Sequence, residues 1–162
     1  MSSARKVLIF GGVALAALGM LYGLQYAVFT EHQTLDRMVG SLASSFADAA
    51  TGRRTEAHSA VAAYGSTNYD YVRQVDVHSH WIGLAMLMIV LGAAFDSVAF
   101  GERVQLVIAL GLLLGSAVFP LGVILQTFQH GNVFASALAI AGSALVMAAL
   151  AASAIGFARQ SA

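Results

Sequence analysis

Four long apolar runs divide this chain, at 7–29, 81–100, 104–128 and 133–158. Polar interruptions are few: Gln25 in the first run, Asp96 near the end of the second, and Gln105 and Gln126 in the third. The fourth run carries no charge. Each run is long enough, as a helix, to cross a hydrocarbon core of about 30 Å. Backbone polar groups inside lipid must be satisfied within a helix or a closed barrel, and continuous apolar runs do not alternate as barrel strands do. Gly101-Glu102-Arg103 joins the second and third runs, and Gln129-His130-Gly131-Asn132 joins the third and fourth. Connections this short make neighbouring helices antiparallel. The pattern predicts an all-α integral membrane four-helix bundle, one domain over residues 1–162, with an outer segment at 30–80 between spans one and two.

The outer segment reads as structured. Thr30-Glu31-His32-Gln33 has the form of a capping box. Leu35, Met38, Val39, Leu42 and Phe46 then recur at helical spacing. Gly52 ends that helix, a second short helix is expected over 55–64, and Gly65-Ser66-Thr67-Asn68 reads as a turn. Both amphipathic pieces are expected to lie on the membrane interface or to fold over the mouth of the bundle.

Small residues predict which faces pack. Gly12, Ala16, Gly19 and Gly23 form a stripe on the first span, and Gly111, Gly115 and Gly122 another on the third. Such stripes let helices approach closely, and a flat cofactor is a further use for the room they leave. Arg5, Lys6, Arg103 and Arg159 flank the spans at one end. Positive residues in short flanks stay inside. The expected arrangement is therefore a multi-pass protein of a bacterial inner membrane, both termini cytoplasmic and residues 30–80 outside. The charged start followed by an apolar run has the look of a signal peptide, but 23 residues is too long for its core.

Composition narrows the chemistry. Hydrophobic residues make up 59% of the 162 residues and charged residues 10%, against about a quarter charged in soluble domains. Net charge is zero, and no Lys/Arg run offers a nucleic-acid surface. There is no cysteine, which excludes disulfides, thiolate metal sites, iron–sulfur clusters and covalently attached haem. No nucleophile elbow, phosphate loop or His-Glu-x-x-His pair is present.

Five histidines remain, and the topology puts all of them on the outer side. His32 follows span one, His58 lies on the outer segment, His78 and His80 stand at the entrance of span two, and His130 at the exit of span three. His78 and His80, two residues apart, diverge by about 200° on a helix. Gly83, one turn from His80, leaves room beside its ring. Antiparallel packing is expected to bring His80 and His130 to similar depth. Two facing imidazoles suit haem iron, and three or four suit zinc or copper. Asp76, Glu31 and Gln126 are available to hold a ligating ring by its second nitrogen. Arg73 and Arg54 are available for haem propionates. The candidate cofactor residues are His78, His80, His130, Arg73, Gly83 and Gln126, with His58 and His32 added for a metal ion.

The stretch Asp76-Val77-His78-Ser79-His80-Trp81-Ile82-Gly83-Leu84 resembles the helix start that carries a haem-ligating histidine in haem-copper oxidase and nitric oxide reductase catalytic subunits. The likeness covers about 25 residues. It implies haem b bound by His78 or His80, and no oxygen or nitric oxide reduction, since later helices with the binuclear-centre histidines are missing. His130 as the second ligand rests on helix geometry instead. The expected function is a membrane electron-transfer protein or subunit with haem b near the periplasmic face, served by quinol or a periplasmic redox protein. The alternatives are a copper- or zinc-binding membrane protein, and a non-catalytic subunit or assembly factor of a larger membrane complex or homo-oligomer.

Overall fold

In the computed structural model, which describes residues 1–160, the first helix, α1 (Ser3–Tyr26), starts at a capping serine. The Ser2 hydroxyl accepts the Arg5 N–H at 3.3 Å, filling one of the donors a helix start leaves open. The same hydroxyl donates to Asp96 at 2.6 Å, and Arg5 pairs with the other Asp96 oxygen at 2.9 Å. Asp96 is thus an exposed anchor for the amino end.

A π turn, Ala27–Glu31, carries α1 without a break into α2 (His32–Ala50). Ser3–Ala50 is therefore one rod of 48 residues, about 72 Å long. Gly52, at φ +76°, turns the chain, and α3 (Arg54–Ala94) runs back for 41 residues. A short 3-10 turn, Phe95–Ser97, leads to α4 (Glu102–Phe128) and then α5 (Val133–Gln160). Asn132 caps α5, its side-chain oxygen accepting from the amides of Phe134 at 2.9 Å and Ala135 at 3.2 Å. Four stretches are long and apolar enough to cross a membrane: Ser3–Ala50, Arg54–Ser97, Glu102–Phe128 and Val133–Gln160.

A seven-residue repeat explains the long pair. On α3, Ala57, Tyr64, Tyr71, His78, Ala85 and Gly92 are all buried or half-buried. On the rod the matching row is Gly12, Gly19, Tyr26, Thr34, Ser41 and Asp48. Its steps are seven throughout, except for eight between Tyr26 and Thr34. One extra residue there would rotate α2 by about 100° away from α3. The π turn absorbs it, because a π turn takes one more residue than an α turn. Both halves of the rod therefore face α3, as an antiparallel coil of two helices.

This repeat overturns three local expectations. Thr30-Glu31-His32-Gln33 starts no helix, since the chain there is already helical. Gly65-Ser66-Thr67-Asn68 is helix rather than turn. The segment at 30–80 does not fold over the bundle; it extends both rods as a hairpin. His130 meets Asp70 at the end of α4, so the seventeen residues from Arg54 to Asp70 project about 24 Å beyond the body as a two-helix spike.

The body also departs from an even four-helix bundle. α1, α3 and α4 surround a shared core that includes Leu8, Trp81, Met88 and Leu112. α5 lies along α4 and otherwise meets the turn at Phe95–Ser97, with no extended contact to α1 or α3. Small residues set this arrangement. A Cβ at Gly122 would press on the backbone of Ala139, and one at Gly142 on the backbone of Phe119. The main chains of α4 and α5 touch there, which is the close approach expected for the α4 stripe. On α1, Gly12 and Gly19 likewise back onto α3 at Ala85 and Trp81.

The π turn supplies a test of the repeat. Deleting Phe29, which is exposed, makes every step seven and is expected to leave thermal unfolding in detergent unchanged or higher. Deleting Ala43 instead rotates the end of α2 off α3 and is expected to abolish amide-exchange protection in the spike. Equal outcomes for the two deletions would contradict the register.

Candidate functional site

A cluster of polar side chains lies at the level at which the spike leaves the body. Two chains of hydrogen bonds cross it. The Tyr22 hydroxyl of α1 donates to Gln74 of α3, and the Gln74 amide donates to Thr127 of α4 at 3.4 Å. The Tyr69 hydroxyl of α3 donates to Gln126 of α4 at 3.4 Å, and the Gln126 amide donates to Ser136 of α5 at 3.5 Å. Asp70 holds His130 Nε2 at 2.7 Å, and the Tyr69 ring stands edge-on to the same imidazole at 4.9 Å. The Arg73 guanidinium lies 4.8 Å from the Tyr69 ring centre. Together these contacts form a polar layer that ties all four long helices at one height.

Each histidine has a separate place. His32 is exposed beside Asp36, at 3.5 Å. His58 is exposed near the spike tip, in a cleft between α2 and α3. His78 faces α1, its ring packed against Gly23, and its Nδ1 is enclosed without a protein partner. His80 faces α4, edge-on to Phe119 at 4.8 Å. Its Nδ1 bonds the Asp76 carbonyl at 2.6 Å, which orients the ring from its own helix. Gly83 beside it is open, and a shallow cleft of about 260 Å³ lies along Ser79, His80, Gly83 and Leu84. His130 is engaged by Asp70.

The expected common depth of His80 and His130 does not hold. α3 is continuous, and Asp70 lies ten residues from His80, so His130 sits about 15 Å along the axis from His80. Imidazoles sharing one metal ion each reach it at about 2 Å. The two rings do not meet within one chain, and His78 points to the other side of α3. Among the described residues no three His, Asp or Glu side chains gather as a metal-holding group. Paired axial ligation by this chain alone therefore does not fit. Arg73 and Gln126, expected beside a cofactor, are turned to Tyr69 and Ser136 instead.

Asp70, Gln74 and Tyr22 were not singled out by the sequence pattern. The signal was present in the seven-residue spacing of α3, which carries Gln74 and Tyr71 toward α1 and leaves Tyr69, Asp70 and Arg73 toward α4 and its turn. A cleft of about 220 Å³ adjoins this layer, lined in part by Tyr26, Arg37, Asp70 and Gln74.

The spike shows an inversion. The face of α2 that packs on α3 is small and polar: Thr34, Ser41 and Ser45 lie there, with Met38 and Asp48. The Thr34 and Ser45 hydroxyls are spent on their own helix, donating to Thr30 O at 3.0 Å and Leu42 O at 2.7 Å. The apolar row is outside: Leu35 is 39% exposed, Val39 68%, Leu42 40% and Phe46 68%. In a soluble hairpin the apolar row would face the partner helix. Here it lies to the side, about 110° around α2 from the seam with α3.

No protein-family model, curated protein sequence or solved structure matches the chain.

The Asp70–His130 contact makes a prediction. Asp70→Asn is expected to leave global unfolding within about 1 kcal/mol, because the pair is partly exposed. It is expected to speed amide exchange at 129–132, where the turn loses its tie to α3. Unchanged exchange there would show that the contact does not hold the turn.

Proposed function

We propose that this chain is a multi-pass protein of a bacterial inner membrane that acts as a non-catalytic helical subunit of a membrane assembly, docking through the apolar row of its spike. The observation that carries this reading is the inverted α2, with Leu35, Val39, Leu42 and Phe46 exposed on a helix that stands clear of the body. Covering a side chain of this kind fully is worth about 1.5–3 kcal/mol, so an uncovered row is costly in water. A contiguous exposed apolar row marks an interaction surface.

The membrane part of the reading has its own support. The outer surface of the body is apolar on every helix, including Phe10, Met20, Val90, Val107, Ile140 and Met147. Arg5, Arg103 and Arg159 gather at the end opposite the spike, which fits a cytoplasmic location for both termini. The polar layer then lies near the outer border of the bilayer, and the spike stands in the periplasm.

Haem b is a second reading, kept by one observation. His80 has Nδ1 held by the Asp76 carbonyl, the usual way a ligating ring is oriented, and an open cleft lies beside it at Gly83. The second axial ligand would have to come from outside this chain, and Arg73 is not at His80. A reduced-minus-oxidised spectrum of the purified protein with a Soret change that His80→Ala removes supports this reading. A flat spectrum ends it.

The docking reading is tested with the absence of native cysteine. Val39→Cys on the row and Ser44→Cys on the opposite face of α2 are labelled with a maleimide in native membranes. Val39→Cys is expected to react about tenfold more slowly than Ser44→Cys. Equal rates would remove the reading.

A further inference from the structure

The cleft of about 220 Å³ beside the polar layer holds an acid and a base that do not pair. Arg37 of α2 and Asp70 of α3 are the two charged side chains of its lining, and no salt bridge joins them. Helix geometry turns both toward the gap, because side chains lean toward the start of their own helix. α2 starts at the cleft and α3 reaches it from the spike tip, so Arg37 leans down and Asp70 leans up. Arg37 Nε donates to the Gln33 carbonyl, one turn below, at 3.2 Å. Its terminal nitrogens are left without a protein carboxylate. One Asp70 oxygen holds His130 at 2.7 Å, and a carboxylate has a second oxygen to offer.

A third group is left over at the same place. Tyr26 is 5% exposed, and its hydroxyl is enclosed without a hydrogen-bond partner. Thr34, also in the lining, donates its own hydroxyl proton to the Thr30 carbonyl at 3.0 Å. A polar group enclosed without a partner is costly. Base, acid and spare donor together describe a dipolar ligand, its anion toward Arg37 and Tyr26 and its cation toward Asp70. Drug-sized ligands take clefts of about 300–1,000 Å³, so the part that enters here is small.

We propose that this cleft binds the headgroup of an ethanolamine phospholipid, a phosphate joined by two carbons to a primary ammonium. The phosphate meets Arg37 and Tyr26 in charge-assisted hydrogen bonds, and the ammonium meets the second oxygen of Asp70. The site rests on the membrane part of the reading above and not on the docking row of α2.

Position commits the ligand to the bilayer. The cleft belongs to the polar layer, and the membrane reading puts that layer at the outer border, where headgroups lie. Its rim is Phe128, 80% exposed. Leu121, Leu114 and Val107 follow at seven-residue steps down α4, at 43%, 56% and 68% exposed. Residues seven apart share a helix face. An apolar track for an acyl chain thus runs from the cleft into the membrane, and a soluble zwitterion has no use for it. Other headgroups fit the charges less well. Phosphatidylcholine offers three methyl groups where Asp70 takes N–H donors, and phosphatidylglycerol brings a negative charge with no cation for Asp70.

The test is native mass spectrometry of the purified full chain in detergent, with equimolar phosphatidylethanolamine, phosphatidylcholine and phosphatidylglycerol. Phosphatidylethanolamine is expected to be retained about tenfold over either competitor. Arg37→Gln and Tyr26→Phe are expected to reduce that retention, Arg37→Gln by about tenfold, with helicity by circular dichroism unchanged. Arg54→Gln, at the spike tip, is expected to leave it as it was. Asp70→Asn is expected to abolish the preference for phosphatidylethanolamine over phosphatidylcholine while the binding that remains still depends on Arg37. Equal retention of the three lipids, an Arg54→Gln loss equal to that of Arg37→Gln, or a preference that survives Asp70→Asn would overturn the site. Competition by an equal concentration of soluble glycerophosphoethanolamine would overturn the lipid as its source. Release of the chain from native membranes by alkaline carbonate without detergent would instead overturn the membrane reading itself.

Discussion

The antiparallel coil between the rod and α3 is the contact on which the rest depends. It sets the direction of α3, and with it the side to which every polar residue from Tyr69 to Trp81 turns. It is built at close range in the body, where Gly12 and Gly19 bring α1 against the backbone of α3. In the spike it is built from small and polar residues, with Ala57 and Ala60 on α3 and Thr34, Ser41 and Ser45 on α2. Dispersion and burial thus favour the lower half of the coil far more than the upper half. The upper half stays in register because the helices are continuous and the π turn keeps the row aimed.

That imbalance links fold to function. A hairpin with a thin seam gains little from its own packing, so its stability in water depends on what covers the outer row. An apolar row that the chain does not cover itself is the feature on which the proposed docking role rests. The polar layer below plays the opposite part. It joins all four long helices through Gln74 and Gln126, whose amides donate and accept in one step, and so fixes the base from which the spike rises. His130 belongs to that base through Asp70.

The same coil accounts for what happened to the cofactor expectation. Reading the histidines by depth assumed that α3 began near His78, so that His80 and His130 would share a level. α3 begins at Arg54 instead, and its pairing with the turn after α4 is made by Asp70, three helical turns above His80. The resemblance at Asp76-Val77-His78-Ser79-His80 stays local to that helix, and His80 retains the orientation of a ligating ring with no second imidazole of its own chain opposite.

Much was decided by the chain's pattern alone. The four apolar runs, the two short turns, the glycine faces of α1 and α4 and the divergence of His78 from His80 all follow from spacing, because hydrophobic run length and the 3.6-residue period act locally. The continuity of the helices through 27–31 and 65–68 was not legible, since Thr, Gly, Ser and Asn there carry turn signals that a long-range seam outweighs. Nor was the direction of the α2 row: amphipathic spacing marks an apolar face but does not say what that face meets. Only the packing of α2 on α3 through Thr34, Ser41 and Ser45 put Leu35, Val39, Leu42 and Phe46 outside. Such a choice depends on contacts between residues far apart in the chain, and a periodicity contains no information about them.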